Sequence, residues 1–238
     1  MRAAPLLALA ALIAAPLQAL PLDPLGDPGQ FRRDVEEINR RPLPDGEALA
    51  RAAGAAVLAD ANQRGRCRPT GISIGTLEPI TLDGMITGLI AKGQIENGWL
   101  TSVTLQGCPP ADPIRVMLLR SPDGQSLQGI FAGQGETLAW PSLSRDALRA
   151  AAGAVSQRLG RDDPACKPGD LTPTGIRVTG RSPDLGPSQY GIRLKGSWNE
   201  VWTFEPCAHR VSVPIAFRTN GAGGAYWDVD AEAVLFVK

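Results

Sequence analysis

Few residues in this chain have the type and spacing to do chemistry: Cys67, Cys108, Cys166 and Cys207, the sole histidine His209, and Glu200 standing between tryptophans. Zinc needs about four nitrogen or sulfur ligands, usually at CxxC or HxxxH spacing. Neither spacing occurs, so no metal and no cofactor are expected. Any Ser-His-Asp or Cys-His mechanism would have to use His209. That residue follows Cys207 by two positions at the start of an expected strand, which reads as a surface or edge-strand histidine rather than a general base. No catalytic residue is assigned. Trp198, Glu200, Trp202 and Phe204 share one face of a strand by period-two alternation. If that face meets solvent, it is an aromatic surface with a central charge, suited to a peptide or a sugar. If it is core, the carboxyl group must be partnered or lie at the edge. Both placements are open, and Trp198, Glu200 and Trp202 form the candidate binding surface. A glycosidase needs only two carboxylates brought together by folding, so counting does not remove that chemistry.

Charge narrows the classes further. The 238 residues carry 24 Lys+Arg against 24 Asp+Glu, a balance without the basic footprint of a nucleic-acid binder. The runs Gly129–Gly135 and Gly221–Gly224 lack the strand-to-helix GxGxxG or GxxxxGK[ST] spacing of a phosphate cradle and read as turns. At the start, Met1-Arg2 supplies a positive charge, Leu6–Ala15 an apolar run, and Leu17-Gln18-Ala19 a small residue for cleavage. This is the three-part pattern of a signal peptide over residues 1–19, and the run is shorter than the ~20 residues a bilayer span requires. With no cysteine near the cut, no lipid anchor is expected. No later stretch is apolar enough to span, so a soluble periplasmic or secreted protein is expected, without a transmembrane segment after cleavage.

An even cysteine count in an exported chain points to disulfides, and four cysteines allow three pairings. An internal repeat chooses among them. Cys67–Cys108 and Cys166–Cys207 both span 41 residues. The spacing from Cys67 to Cys166 recurs from Ala52-Ala53-Gly54-Ala55 to Ala151-Ala152-Gly153-Ala154, and from Trp99 to Trp198. Thr70-Gly71-Ile72 is matched by Thr174-Gly175-Ile176 after a short slip of register. A shared order at near-constant spacing indicates duplication. If each copy once folded alone, its own cysteines bond to each other, giving Cys67–Cys108 and Cys166–Cys207.

The elements that would position these residues follow. Each copy opens on a helix: Glu47–Gln63 after an Asp45 cap, and a second running from a Ser144 cap to Leu159. Gly54 and Gly153 cost helix stability and suggest close backbone packing there. Copy one then offers strands over Gly71–Leu77, Ile86–Gln94, Trp99–Gln106, Ile114–Arg120 and Gln128–Phe131, with hairpin signals at Asn97-Gly98 and Asp123-Gly124. Copy two offers Gly175–Thr179, Gln189–Lys195, Trp198–Glu205, Val211–Arg218, Ala225–Val229 and Val234–Val237. The expected class is α+β, a tandem duplication with one helix packed on an antiparallel β-meander in each copy. Residues 20–46, with a short helix after Asp27-Pro28, form an N-terminal arm. Residues 47–132 are copy one, 133–143 a linker, and 144–238 copy two.

Gly135-Glu136-Thr137-Leu138-Ala139-Trp140-Pro141, Trp198-Asn199-Glu200-Val201-Trp202 leading to Cys207, and Asn220-Gly221-Ala222-Gly223-Gly224 together resemble an uncharacterised family of exported bacterial proteins with a Trp-rich strand, a cysteine pair and a Gly-rich turn. The resemblance covers the second half best and carries no activity. Where such proteins have glycine after the second cysteine, this chain has Pro109 and Ala208. The sequence leans away from an enzyme. It favours a non-catalytic envelope module that binds another protein or a glycan, with an envelope glycan or peptidoglycan hydrolase using two carboxylates as the alternative.

Overall fold

Aspartates open the first three helices. In this computed structural model, which describes residues 22–24, 26–109, 111–169 and 171–237, the expected signal peptide lies outside the described residues. Helix α1 (Pro28–Arg40) starts on Asp27, whose side chain accepts from Gly29 N, with Pro28 at the first position. Helix α2 (Gly46–Arg64) starts on Asp45, which accepts from Ala48 N, and ends on left-handed Gly65. Helix α3 (Gly84–Ala91) starts on Asp83, which accepts from Met85 N and Ile86 N. Helix α4 (Pro141–Asp162) relies on Pro141 instead, without a side-chain cap. Ser144, expected as the cap, lies inside the helix and donates to the Ala139 carbonyl.

The strands form two antiparallel sheets of similar size, so the class is α+β. In the first sheet β1 (Gly71–Ile74), β3 (Asn97–Gln106), β4 (Ile114–Arg120) and β5 (Leu127–Gln134) pair in that order, and β2 (Glu78–Pro79) shares the outer edge of β3. In the second, β6 (Gly175–Arg181), β7 (Ser197–Phe204) and β8 (Arg210–Thr219) pair in order. Strands β9 (Ala225–Val229) and β10 (Leu235–Val237) both pair with β8. They divide its outer edge at Val213-Pro214, where proline has no N–H to offer a further strand.

The sheets meet at one parallel bridge, Gly135 to Ile176, where Glu136 N donates to the Ile176 carbonyl. Strands alternate in direction within each sheet, so a parallel junction turns the second sheet over relative to the first. On one face of the first sheet, α2 packs Ala53 and Val57 against Trp99, Val103, Val116 and Leu118. On its other face, α1 and α3 bury Ile38, Ile86 and Ile90 with Leu100, Met117 and Leu119. Helix α4 lies on this same side of the molecule, over Trp198, Trp202, Phe204 and Phe217. Ser142 N at its start donates to Asp83 Oδ2 at 2.8 Å. Among the described residues, no helix lies over the remaining face of the second sheet.

Several expected elements fall differently. Ile86–Gln94, expected as a strand, is mostly helix α3: Asp83 caps it, and Ile86 and Ile90 are buried one turn apart. Gln189–Lys195 forms only a Gln189–Ile192 bridge around left-handed Tyr190 and Gly191, and that loop reaches back so that Leu82 N donates to the Tyr190 carbonyl. Asn97-Gly98 is not a turn but the start of β3, held there by pairing with Arg120 and Leu119. The arm is no appendage: Leu22, Val35 and Ile38 are buried, because the first sheet is apolar on both faces and α2 covers one. The linker is no spacer, since it completes β5, makes the junction and buries Ala139 and Trp140. Nor do Gly54 and Gly153 serve close packing. A Cβ at Gly153 would meet nothing within 4 Å, and one at Gly54 only Ile72 at 3.8 Å. The close approach is made from the sheet side, where a Cβ on Gly129 would lie 2.1 Å from the Ala52 carbonyl oxygen.

The sulfurs of Cys67 and Cys108 are 2.10 Å apart, and those of Cys166 and Cys207 2.16 Å. Each pair ties the chain just past a helix, α2 or α4, to the chain just past the strand carrying Trp99 or Trp198. Beyond the second pair, Ala208 has φ 65, in the region where a Cβ is penalised.

Two stability series check this packing by thermal or denaturant unfolding. Gly129→Ala should cost roughly 1–3 kcal/mol through overpacking, whereas Gly153→Ala should stabilise by about 0.5–1 kcal/mol. Ala208→Gly should also stabilise, by roughly 0.5–1 kcal/mol, because relief of the left-handed strain exceeds the added freedom of the unfolded chain.

Candidate functional site

The structure places Trp198, Glu200 and Trp202 in the core, with 1%, 0% and 1% exposure. They are not a binding surface. Helix α4 and Trp140 cover the face they share with Phe204, and Trp198 stacks on Phe217 at 5.0 Å between ring centroids. Burying a carboxyl group costs several kcal/mol unless it is fully bonded, and here the bonds are supplied. Glu200 Oε1 accepts from Thr137 Oγ1 at 2.7 Å, Leu138 N at 2.8 Å and Trp198 Nε1 at 2.9 Å. Its Oε2 accepts from Trp202 Nε1 at 2.7 Å. The two indoles on the same strand face are thus the carboxyl group's partners, and the 133–143 segment provides the rest.

Other polar groups in the interior are similarly engaged. Glu96 pairs with Arg41 at 2.8 Å and Arg120 at 2.7 Å, and Arg120 also donates to the Pro42 carbonyl and lies over the Trp99 ring. Asp60 pairs with Arg64 at 2.6 Å and Arg66 at 3.5 Å. Burial pulls the Arg115 guanidinium down to about 10, against the opposing pull of Glu200 and Glu78. His209 Nε2 lies 2.8 Å from Asp163 Oδ2, a bond that holds the Asp163 carboxyl below its usual range. The His209 ring also packs on Phe236 at 4.7 Å, so it joins the end of α4 to β10. These contacts brace elements, and among the described residues no cluster of three or more His, Cys, Asp or Glu could hold a metal ion.

The surface that the fold leaves available is the opposite face of β6–β9. It carries the alternate residues to the tryptophans: Asn199, Val201 and Thr203 on β7, and Arg210, Ser212, Pro214, Ala216 and Arg218 on β8. Register sets them in rows. Arg177, Val201 and Pro214 lie across one row; Asn199, Ala216 and Asp228 across another; Ser197, Arg218 and Tyr226 across a third. Tyr226 and Leu235, on the outer strands, are 62% and 66% exposed. The Arg218 guanidinium lies over the Tyr226 ring at 5.7 Å. Toward the junction the face deepens into a groove of about 1500 Å³ of mixed charge, which also touches Arg64, Arg66 and Lys167 on one hand and Asp112, Glu136 and Glu205 on the other. Sequence reasoning passed over these residues because it followed the tryptophans. The signal was present as their period-two complement, a half-polar stripe on the same strands.

The buried carboxyl group gives a direct check. In Glu200→Gln, the amide NH2 faces an indole or the Thr137–Leu138–Trp198 donors, leaving buried donors opposed. The variant should lose roughly 2–3 kcal/mol of stability, read as a lowered Tm together with a changed near-ultraviolet tryptophan dichroism. No protein-family model, no curated protein and no solved structure matches this chain.

Proposed function

We propose that this chain is an exported, non-catalytic module of the cell envelope, periplasmic or secreted, that binds another protein through the uncovered face of β6–β9. One observation carries the reading: three sheet faces are covered by α1 and α3, by α2 and by α4, while among the described residues no helix covers the fourth. Its composition suits a protein interface, where Arg and Tyr are enriched and a small apolar floor is ringed by polar groups. Export is supported by the two cysteine pairs at bonding distance. It agrees too with the finding that no helix among the described residues is long and apolar enough to cross a membrane.

The module has the organisation of a tandem duplication. Each half runs from a helix through a cysteine to a Trp-bearing strand and a second cysteine, with a separation of 41 residues between the paired cysteines. Duplication followed by a parallel junction accounts for the bare face. The first half acquired α1 and α3 over its second apolar face, and the second half kept a polar one. The alternative, a glycan or peptidoglycan hydrolase working through two carboxylates, has less behind it. The buried Glu200, Glu96, Asp60 and Asp83 are already bonded or ion-paired within the fold.

Cross-linked co-purification of the mature protein from its native envelope and medium, followed by mass spectrometry, tests the proposal. A stoichiometric protein partner is expected, and it should be lost from Ala216→Arg or Val201→Arg while the unfolding free energy of either variant stays within ~0.5 kcal/mol of the parent. Retention of the partner by both variants would place the binding surface elsewhere.

A further inference from the structure

We infer that the outer edge of β9 pairs with the same edge of a second copy, joining two molecules through one continuous antiparallel sheet. This does not rest on the reading of the uncovered face, which stays open in both copies. The direction of the main chain is the first observation. Thr219 N donates to the Gly196 carbonyl, on the β7 side, and Asn220 N to the Gly224 carbonyl, on the β9 side. Main-chain groups point to alternate sides along a strand, so Ala216 and Arg218 bond across to their register partners Asp228 and Tyr226. The N–H and C=O groups of Ala225, Trp227 and Val229 are thereby turned away from β8, and among the described residues nothing within the fold bonds to them.

Sheet edges are ordinarily blunted against pairing. At the far end of the joined sheet the edge is broken into two short strands, β1 and β2, and Pro79 has no N–H to offer. Strand β9 has neither device. It carries Tyr226 on the uncovered face and Trp227, 39% exposed, on the α4 side. With Leu235 of β10, these are three of the five large apolar side chains exposed among the described residues.

The order Ala225-Tyr226-Trp227-Asp228-Val229 selects a second copy as the occupant. A two-fold axis through Trp227 gives an isologous contact in which the outward-directed residues meet: Trp227 pairs with its own copy, and Ala225 with Val229 of the second. On the uncovered face Tyr226 then falls opposite Asp228, and Asp230 opposite Gly224, so no like charges face each other across the strands. Arg218 completes the row. Its guanidinium lies over the Tyr226 ring at 5.7 Å, and the second copy's Asp228 stands one strand spacing, about 4.8 Å, beyond Tyr226. Among the described residues neither Arg218 nor Asp228 makes an ion pair within its own fold. With 24 Lys+Arg against 24 Asp+Glu, the chain has no net charge to hold two copies apart.

The test is sedimentation velocity of the mature protein from about 10 µM to about 1 mM, with amide hydrogen exchange at both ends of the range. An edge contact of this size belongs with the weaker specific interfaces, so a reversible dimer should fill across those concentrations. As it forms, the amides of Ala225, Trp227 and Val229 should gain protection, while those of Tyr226 and Asp228, already bonded to β8, stay unchanged. Trp227→Lys sets like charges on the axis and should leave the protein monomeric throughout; Ala225→Pro, which removes an outward N–H, serves if that variant disturbs folding. Arg218→Asp and Asp228→Arg should each raise the dimer Kd about tenfold, and Arg218→Asp/Asp228→Arg should restore it. A protein still monomeric at about 1 mM overturns the inference. So does a dimer that persists in Trp227→Lys or Ala225→Pro, or one whose Trp227 amide gains no protection. A double variant as weak as the single ones removes the register about Trp227 and overturns it as well.

Discussion

Gly135 has no side chain at the point where the two sheets meet, and a Cβ there would lie 2.1 Å from the carbonyl oxygen of Ile176. That contact lets β5 approach β6 in parallel, and the rest of the architecture depends on it. Two antiparallel sheets joined in this way must present opposite faces to the same side of the molecule. Helix α2 therefore covers one side of the joined sheet and α4 the other, and α4 falls next to α3, where Asp83 caps both the start of α3 and Ser142. An antiparallel junction would have set α2 and α4 on one side and left a different surface exposed.

Immediately past the junction, the chain enters the core of the second half and satisfies Glu200. Four donors around one carboxyl group settle a cost that an unpartnered group in this position could not meet. Two of them, Thr137 Oγ1 and Leu138 N, belong to the segment between the sheets, so the interior of the second half is complete only with that segment in place. The ion pairs of Glu96 with Arg41 and Arg120 play the matching part in the first half, where they tie the chain after α1 to the end of β4. A buried polar group with all its partners adds geometric definition more than net stability. In both halves some of the partners come from outside the sheet, Arg41 for Glu96 and Thr137 and Leu138 for Glu200, which fixes how the covering segments sit.

The two halves differ in what they do with their second face. In the first, Leu100, Met117 and Leu119 demand a cover and receive α1 and α3. In the second, the corresponding side of β7 and β8 carries Asn199, Thr203, Ser212 and arginines, which are stable in water. One half is thereby a closed scaffold and the other a scaffold with a free platform, a division of labour consistent with the binding role proposed for the face.

Local chemistry determined much of this protein before any tertiary contact. Asp27-Pro28 and Asp45 mark helix starts by hydrogen-bonding and fixed φ, Ser121 to Gly124 turns β4 into β5 through a left-handed Gly124, and alternation on β4, β7 and β8 sets which residues share a face. These depend on neighbours one to four residues away, so they are legible in the order of residues. Ile86–Gln94 was not, because an apolar, β-branched run suits a strand or a buried helix equally, and the Asp83 cap and the cover required by the first sheet decided for helix. Whether Trp198, Glu200 and Trp202 faced solvent or core likewise depended on groups distant in sequence, Thr137, Leu138 and α4. The open face was decided last and only in three dimensions, since it exists because a side-chain-free contact at Gly135 turned one sheet over relative to the other.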